Sequence, residues 1–310
     1  KIDDLRVAGR TSSFYFKGRN ESLATIGSTL GVAHVLEGSV RKQGERLRIS
    51  AKLLRVSDGV ELWADTFDGT DADIFALQES IAQQVTGQLK VALNAGQQGR
   101  LVDVGTGDPD AYALYLRATD VFNRRDSMRY EEAIAALQQA LQRDPQFARA
   151  HSRLATIYFV FASSLGAGRY AALVAQAREH AEQALRLSPE LAEPHAVLGV
   201  LHQGARRYAE AHKAYERALQ LDAADITANF WSALLQCTTG HTARCERGLE
   251  KTLEIDPLLP NALNWRARLL LSAGDLEAAE RTMARARGAG LQALWFTGSW
   301  IALKRGDLAG

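Results

Sequence analysis

The 310-residue sequence has little of several residue types, and each scarcity excludes a class of protein. It holds two cysteines, too few for a disulfide-stapled framework. No apolar run approaches the roughly 20 residues that a membrane-spanning helix needs. A formal net charge of +1 lacks the basic excess that is typical of a dedicated nucleic-acid surface. The whole sequence has 46% hydrophobic and 24% charged residues, which is the composition of an ordinary folded protein.

The two cysteines, Cys237 and Cys245, flank a predicted turn between two helices. We expect two buried thiols there, the usual state of free cysteine, with a disulfide as the alternative in an oxidising compartment. The sequence has no signal peptide and starts at Lys1 rather than at a methionine, so we expect a fragment of a longer protein. The compartment is left open: the cytoplasm is slightly favoured, with the periplasmic side of a membrane-anchored regulator as the alternative.

The stretch from Ser188 to Pro257 contains two consecutive copies of one unit. The turns that close successive units end at Pro189, Ala223 and Pro257, and their spacing is constant (223 − 189 = 34 and 257 − 223 = 34). Each unit holds two amphipathic helical patterns with small residues at fixed points. This period is typical of a tetratricopeptide-repeat (TPR) array, in which helix pairs stack into a solenoid whose activity is binding.

Further units flank these two, so we assign residues 110–310 to five repeats plus a partial sixth. The second unit, 147–189, is ten residues longer than the period, and we expect the excess in a lengthened turn around 163–168. Small residues that would permit close helix packing share one register on the first helices and another on the second helices. These residues are Ala118, Ala155, Gly199, Ala233 and Ala267, and then Ala133, Ala177, Ala211 and Ala279.

Residues 1–95 follow a different pattern, in the order strand, helix, three strands, helix. The first strand is predicted at 5–8. Leu47, Ile49, Ala51 and Leu53 alternate with polar residues, which predicts a strand with one dry face. Two hairpins would make much of the sheet antiparallel. The predicted fold class is therefore a small α+β domain with a mixed or antiparallel sheet, a linker at 96–109, and an all-α superhelical solenoid.

Several motifs of residues 4–95 resemble a TolB-N-terminal-like (FlgO-like) domain. They are Arg10-Thr11-Ser12-Ser13-Phe14, Leu36-Glu37-Gly38-Ser39-Val40, Leu62-Trp63-Ala64 and Asp73-Ile74-Phe75-Ala76-Leu77. In bacterial proteins such a domain lies between an adenylate cyclase or winged-helix output module and a TPR array. Family members carry a further strand and helix upstream. The resemblance therefore implies that this sheet lacks a strand or takes one from another molecule.

In TPR arrays the first helix of each pair lines the concave face, and this register implies a peptide-binding groove. The expected groove residues are Tyr112, Tyr115, Thr119, Ser152, Thr156, Phe159, Ala196, Val200, Gln203, Phe230, Leu234, Asn264, Arg268, Phe296 and Trp300. Aromatic, arginine, hydroxyl and amide groups together suit a peptide or a partner helix. The alternative is that several of the aromatic residues belong to the core. These positions lack the Lys and Asn cluster with which one TPR subset grips a C-terminal carboxylate.

Other kinds of site find little support in the sequence. His195, His202 and His212 cluster in one repeat, but no cysteine or carboxylate completes a metal site, so no metal or other cofactor is expected. No phosphate loop or nucleophile elbow is present, so we expect no enzyme within these residues. The first domain has a basic flank, which we interpret as a solvated sheet face rather than a nucleic-acid surface. It comprises Arg41, Lys42, Arg46, Arg48, Lys52 and Arg55.

The predicted function is a non-catalytic sensory or scaffold region of a bacterial signalling protein, which binds a protein or peptide in the TPR groove. By resemblance, its output module is a class III adenylate cyclase or a winged-helix DNA-binding domain. The alternative is a periplasmic or envelope assembly factor whose repeats dock partner proteins. We also expect self-association, through the incomplete sheet or through the truncated last repeat, and no direct membrane contact.

Overall fold

The computed structural model describes residues 5–89, 104–124, 127–164, 167–290 and 295–305. The chain forms two compact units: Lys1–Ala8 with Phe16–Tyr112, and Gly9–Tyr15 with Ala113–Gly310. Among the described residues, no helix is long and apolar enough to cross a bilayer. The elements in chain order are α1 (Arg10–Tyr15), α2 (Leu23–Leu30), β1 (His34–Gln43), β2 (Arg46–Arg55), β3 (Glu61–Thr70), α3 (Ile74–Gln88), α4 (Pro109–Asn123), α5 (Tyr130–Arg143), α6 (Ala148–Ser164), α7 (Ala167–Leu187), α8 (Ala192–Gly204), α9 (Tyr208–Leu221), α10 (Ile226–Thr238), α11 (Thr242–Ile255), α12 (Pro260–Ala273), α13 (Leu276–Gly288) and α14 (Trp295–Arg305).

The first unit is built on a three-stranded sheet in the order β1-β2-β3, and both strand pairs are antiparallel. The first hairpin turns at Gly44 and the second at Gly59, which have φ angles of 61° and 72°. These left-handed angles suit glycine because it has no Cβ. The antiparallel sheet predicted from the two hairpins is confirmed.

The core of the first unit lies on one face of β2. Leu47, Ile49, Ala51 and Leu53 are buried there, as their period of two predicts. Trp63 of β3 donates its indole N–H to Gln84 Oε1 of α3 at 3.0 Å, which ties that helix to the sheet. The apolar residues of β2 therefore form the dry face of the sheet, while the alternate residues are more exposed.

The strand predicted at 5–8 is wrong. Residues 5–9 have no regular structure, and Val7 is 73% exposed. The three strands of the described sheet pair only with one another, so no ladder is available to this segment. The residues that follow it form the short helix α1, which the sequence pattern did not predict.

In the described part of the chain, the second unit contains α1, five successive helix pairs from α4–α5 to α12–α13, and then α14. The small residues predicted at the two helix registers are all buried, from Ala118 on α4 to Ala279 on α13. Cys245, midway in sequence between Ala211 and Ala279, completes the second-helix register and is also buried. Close approach of the paired helices therefore rests on a small side chain at each of these positions.

The ten extra residues of the second repeat do not lengthen its turn, as the sequence pattern predicted. They extend both helices instead: α6 has 17 residues and α7 has 21, whereas α8 has 13 and α9 has 14. Helical extension pairs the added backbone amides and carbonyls within the helices, which a long irregular loop does not.

Cys237 and Cys245 form a disulfide, with their Cα atoms 5.0 Å apart. The expectation of two free thiols is therefore wrong, and the alternative holds. The bond joins the end of α10 to the start of α11 and so closes the turn within the fourth repeat.

Candidate functional site: the face of the first helices

A polar cluster joins the first helices of the second and third repeats, α6 and α8. Ser152 Oγ donates to Glu193 Oε2 at 2.9 Å, and Thr156 Oγ1 donates to Glu193 Oε1 at 2.9 Å. Arg153 lies with Nη1 3.0 Å from the same Oε1. One carboxylate in the first turn of α8 thus fixes three side chains of α6. We call Ser152, Arg153, Thr156 and Glu193 the Glu193 cluster.

The ion pair in this cluster is shielded from water, since the side chains of Arg153 and Glu193 are only 19% and 15% exposed. Burial by itself would lower the pKa of Arg153, but the charge of Glu193 and a hydrogen bond with Tyr115 outweigh it and raise that pKa. Arg153 therefore stays charged, and removing Glu193 would leave it without this carboxylate. Breaking a buried pair in this way typically costs ~3–5 kcal/mol, an upper figure for a pair that keeps some exposure.

An aromatic contact follows the Glu193 cluster along the array. The ring of Phe159, at the end of α6, meets Trp231 of α10 edge to face, with the ring centroids 5.3 Å apart. Phe230 is buried at 9% exposure, while Val200 and Leu234 are half-buried. Ala196, predicted to line the groove, is fully buried. Parts of this face are therefore filled by the protein's own side chains.

Gln203 lies between two hydroxyl groups. It accepts a hydrogen bond from the Tyr215 hydroxyl at 3.2 Å, and its Nε2 donates to Thr238 Oγ1 at 3.2 Å. These bonds link α8 to its own second helix and to the first helix of the next repeat. The side-chain amide is thus held in one orientation rather than free to rotate.

The last repeats present the most exposed of the predicted residues. Arg268 is exposed and stacks over the Trp265 ring, with its guanidinium carbon 4.3 Å from the centroid. Trp300 is 47% exposed. Asn264 is buried and accepts from Thr297 Oγ1 at 2.9 Å, so it ties α12 to α14. The Phe296 side chain lies outside the described part of the chain.

At the other end, the predicted aromatic residues are packed against neighbours. Tyr112 is half-buried in the first unit, with its ring centroid 5.4 Å from that of Phe75. Tyr115 is half-buried with its ring 5.2 Å from Phe147. Thr119 is buried, and among the described residues its Oγ1 has no hydrogen-bond partner.

Three residues of this face were missed by the sequence reasoning: Arg153, Trp231 and Trp265. They occupy one column of the repeat, because Trp231 and Trp265 lie one period apart (265 − 231 = 34) and Arg153 is the matching residue of the longer second repeat. The aligned repeat positions would have found them. These three positions lie outside the predicted groove register, because each follows a groove residue by one position: Ser152, Phe230 and Asn264.

The structure also describes the possible metal ligands and the basic flank of the first unit. Among the described residues, no group of three or more His, Cys, Asp or Glu side chains is arranged to hold a metal ion. In the basic flank, four residues have carboxylate partners: Lys42 with Asp71, Arg48 with Asp68, Lys52 with Glu37 and Arg55 with Asp58. These pairings offset most of the positive charge of that flank.

Comparison with known proteins yields one family-model match and one curated relative. Residues 125–159 match the family model described as TPR repeat. A protein named putative adenylate cyclase 3, from Rhizobium meliloti strain 1021, is 32% identical over 214 residues, which are 69% of this chain and 36% of that protein. The chain thus spans about a third of the length of the curated relative it matches.

Two solved structures illustrate the related helical folds. Human IFIT1, determined as a dimer with m7Gppp-AAAA, has a TM-score of 0.55 at 13% identity, covering 75% of this chain and 53% of that one. TTC0263 of Thermus thermophilus, a thermophilic TPR protein, has a TM-score of 0.49 at 17% identity, covering 63% and 99%. The likeness to IFIT1 shows the fold alone. The second unit is thus a TPR-like helical solenoid, in which residues 125–159 match the model of a TPR repeat.

Proposed function

We propose that the first helices of the array bind a segment of a partner protein, and that this region is the sensory or scaffold part of a larger bacterial signalling protein. TPR repeats are generally non-catalytic scaffolds for protein binding. The observation that carries the proposal is the surface formed by exposed Arg268, half-buried Trp265 and exposed Trp300, which lies on the same series of first helices as the Glu193 cluster. Arginine and tryptophan are enriched among residues that dominate binding energy.

The signalling part of the proposal rests on the relative named as an adenylate cyclase. Because the matched region is 36% of that protein, this chain corresponds to a region of it. We propose that residues 1–95 form a TolB-N-terminal-like domain and 110–310 the binding array. Binding of a partner to the array would then be the signal that is passed to a cyclase or winged-helix module elsewhere in the same polypeptide.

The groove is tested with an array of overlapping 15-residue peptides from the proteome of the source bacterium. The variants Arg268→Ala and Trp300→Ala remove exposed groups and leave the buried core intact. Each is expected to weaken peptide binding about tenfold or more, a loss of roughly 1.4 kcal/mol. Arg281→Ala is the matched control, because this arginine is exposed on a second helix and pairs with Glu277 of the same helix. Wild-type affinity in both groove variants for every bound peptide contradicts the groove assignment.

The disulfide favours a second candidate, an envelope assembly factor whose repeats dock partner proteins. Disulfides persist in oxidising compartments such as the periplasm and are rare in the bacterial cytoplasm. Peptide mass spectrometry without reductant, on protein isolated from its own cells, distinguishes the signalling candidate from the envelope candidate. A bonded Cys237–Cys245 pair in the periplasmic fraction supports the envelope candidate, or a regulator with this region outside the cytoplasm. Two free thiols in the cytoplasmic fraction contradict it.

We also propose that the exposed edge of β1 pairs with the β1 strand of a second copy. Leu36 and Val40 on this strand are 50% and 65% exposed. In an antiparallel pairing centred on Gly38, each Leu36 would lie opposite Val40 of the other copy, on the same face as the buried residues of β2. Light scattering is expected to show a dimer that Val40→Lys dissociates. A monomer at high micromolar concentration contradicts the pairing.

A further inference from the structure

A short segment of the N-terminal sequence is fastened to the repeat array. Residues 9–15, which hold α1, belong to the second compact unit. Gly9 N donates to Ile255 O at 2.7 Å, and Ser12 N donates to Asp256 Oδ1 at 2.9 Å. Ser12 Oγ donates to the same carboxylate oxygen and accepts from Leu258 N at 2.7 Å. Four hydrogen bonds thus join residues 9–15 to the turn between α11 and α12. We call this the Asp256 turn.

The contact is closely fitted. Ser12 is fully buried and Asp256 is 1% exposed, so the hydrogen bonds between them lie out of contact with water. A Cβ placed on Gly9 would come within 2.4–2.8 Å of the Asp256 side chain. Only glycine therefore permits this approach.

Two other repeats show how the same aspartate bonds within its own turn. Asp144 Oδ1 accepts from Gln146 N at 3.0 Å, and Asp222 Oδ1 accepts from Ala224 N at 2.9 Å. In both turns the carboxylate caps the amide two residues on, as aspartate does in Asx turns. Asp256 lies one period after Asp222 (256 − 222 = 34), yet the corresponding amide, Leu258 N, donates to Ser12 Oγ instead. The serine hydroxyl is interposed between the carboxylate and the amide that it would otherwise cap.

The sister turns show a second way to pair the carboxylate of Asp256. Once Ser12 leaves, Asp256 can accept from Leu258 N as the sister aspartates accept from Gln146 N and Ala224 N. Ile255 O, at the end of α11, loses the bond from Gly9 N. Release therefore leaves the Asp256 carboxylate and the Leu258 amide paired with each other within the turn.

We propose that residues 9–15 are a detachable latch, for which the Asp256 turn is the docking site. The docked and released states are two arrangements of one turn, which is the kind of element that a binding event can bias. The Asp256 turn recognises a backbone N–H and a serine hydroxyl from one turn of a helix. Gly9 permits the close approach because it has no Cβ. This inference concerns a different surface from the proposed groove and holds whether or not the groove binds a peptide.

Hydrogen–deuterium exchange of the full chain, followed by mass spectrometry, tests the latch. Ser12→Ala removes the interposed hydroxyl, and exchange of the peptide covering 9–16 is expected to accelerate about tenfold or more, while peptides from α11 and α12 keep their protection. Ser13→Ala is the matched control, since Ser13 Oγ donates to Gly9 O within the segment itself. Its exchange is expected to stay within twofold of the wild type.

A second variant keeps the test decisive if Ser12→Ala is poorly folded. Gly9→Ala leaves every hydrogen-bonding side chain in place but forces the segment away from Asp256, so the same local release is expected. Equal exchange in Ser12→Ala and Ser13→Ala would overturn the proposal. So would loss of protection in α11 and α12 to the same extent as in residues 9–16, because that result would make the contact part of the folded core.

Discussion

Gly199 offers the sharpest test of how these repeats pack. It lies on α8, in the register that holds alanine in the other repeats. A Cβ on Gly199 would lie 2.6, 2.8 and 3.0 Å from three carbons of the Tyr215 ring. That ring is fully buried. It has no exposed direction in which to retreat, so we expect Gly199→Ala to strain the contact between α8 and α9.

The magnitude follows from two opposing effects. Carbon atoms in good contact are about 3.5–4.0 Å apart, so the new methyl group would be roughly 1 Å too close to the ring. Overpacking of this kind typically costs ~1–3 kcal/mol. Replacing glycine by alanine within a helix gains up to about 1 kcal/mol. The net expectation for Gly199→Ala is a loss of roughly 0–2 kcal/mol.

A matched control separates the two effects. Gly204→Ala places the same methyl group near the end of the same helix, where the nearest atom is the Tyr170 hydroxyl at 3.8 Å. It gains propensity without a clash. The two variants are therefore expected to differ by about 1–3 kcal/mol, with Gly199→Ala the less stable. Thermal melts followed by far-UV circular dichroism measure the difference, at about 2–4 °C per kcal/mol for a region of 150–250 residues.

The sister repeats supply a rescue. The residues at the positions that correspond to Gly199 and Tyr215 are Ala233 with Leu249 and Ala267 with Met283, so alanine occurs there together with a side chain that has no ring. Gly199→Ala combined with Tyr215→Leu recreates the first of these pairs. The double variant is expected to be more stable than the sum of the single changes predicts. If Gly199→Ala melts at or above the Gly204→Ala temperature, the packing argument fails.

Two further predictions concern pH and redox state. His151 Nδ1 and His180 Nδ1 are 2.8 Å apart, and burial together with the neighbouring ring lowers the pKa of His180 from 6.5 to about 4. The unfolded chain then binds more protons between these values, so the melting temperature should fall as pH drops from 6.5 to 4, and His180→Gln should flatten that dependence. Reducing the Cys237–Cys245 bond should cost about 2.5 kcal/mol, from the loop entropy of an eight-residue separation. Denaturant melts with and without reductant measure this cost. A Cys237→Ser, Cys245→Ser variant should melt like the reduced protein and ignore reductant.

The buried positions of β2 and of the helix contacts were predictable because the spacing of apolar and small residues is visible in the sequence. The alternation of Leu47, Ile49 and Leu53 with polar residues places one face of β2 in the core, and the constant repeat period places Ala211 and Ala279 at helix contacts. These patterns need no partner to be known, only that apolar surface is removed from water. The expected groove was predictable only in outline. Which of its side chains stay exposed depends on what lies opposite them.

Two of the errors, at residues 5–8 and in the second repeat, share one physical cause. The segment at 5–8 has strand-like residues, but a strand exists only where another strand completes its ladder. The ten additional residues of the second repeat predict a lengthened turn around 163–168, because turns tolerate insertions, yet both helices lengthen instead. Local propensity was outweighed in each case by where the backbone finds its hydrogen bonds.

The amino-acid sequence by itself determined the architecture: an α+β unit, a constant repeat period and a face of first helices that carries aromatic and polar groups. These follow from periodicity, which a single chain displays along its length. Only the tertiary structure decided the pairings: Glu193 with three side chains of α6, Gly199 against Tyr215, and Ser12 in the Asp256 turn. The last of these joins residues 244 positions apart, and no local pattern marks such a contact before the chain folds.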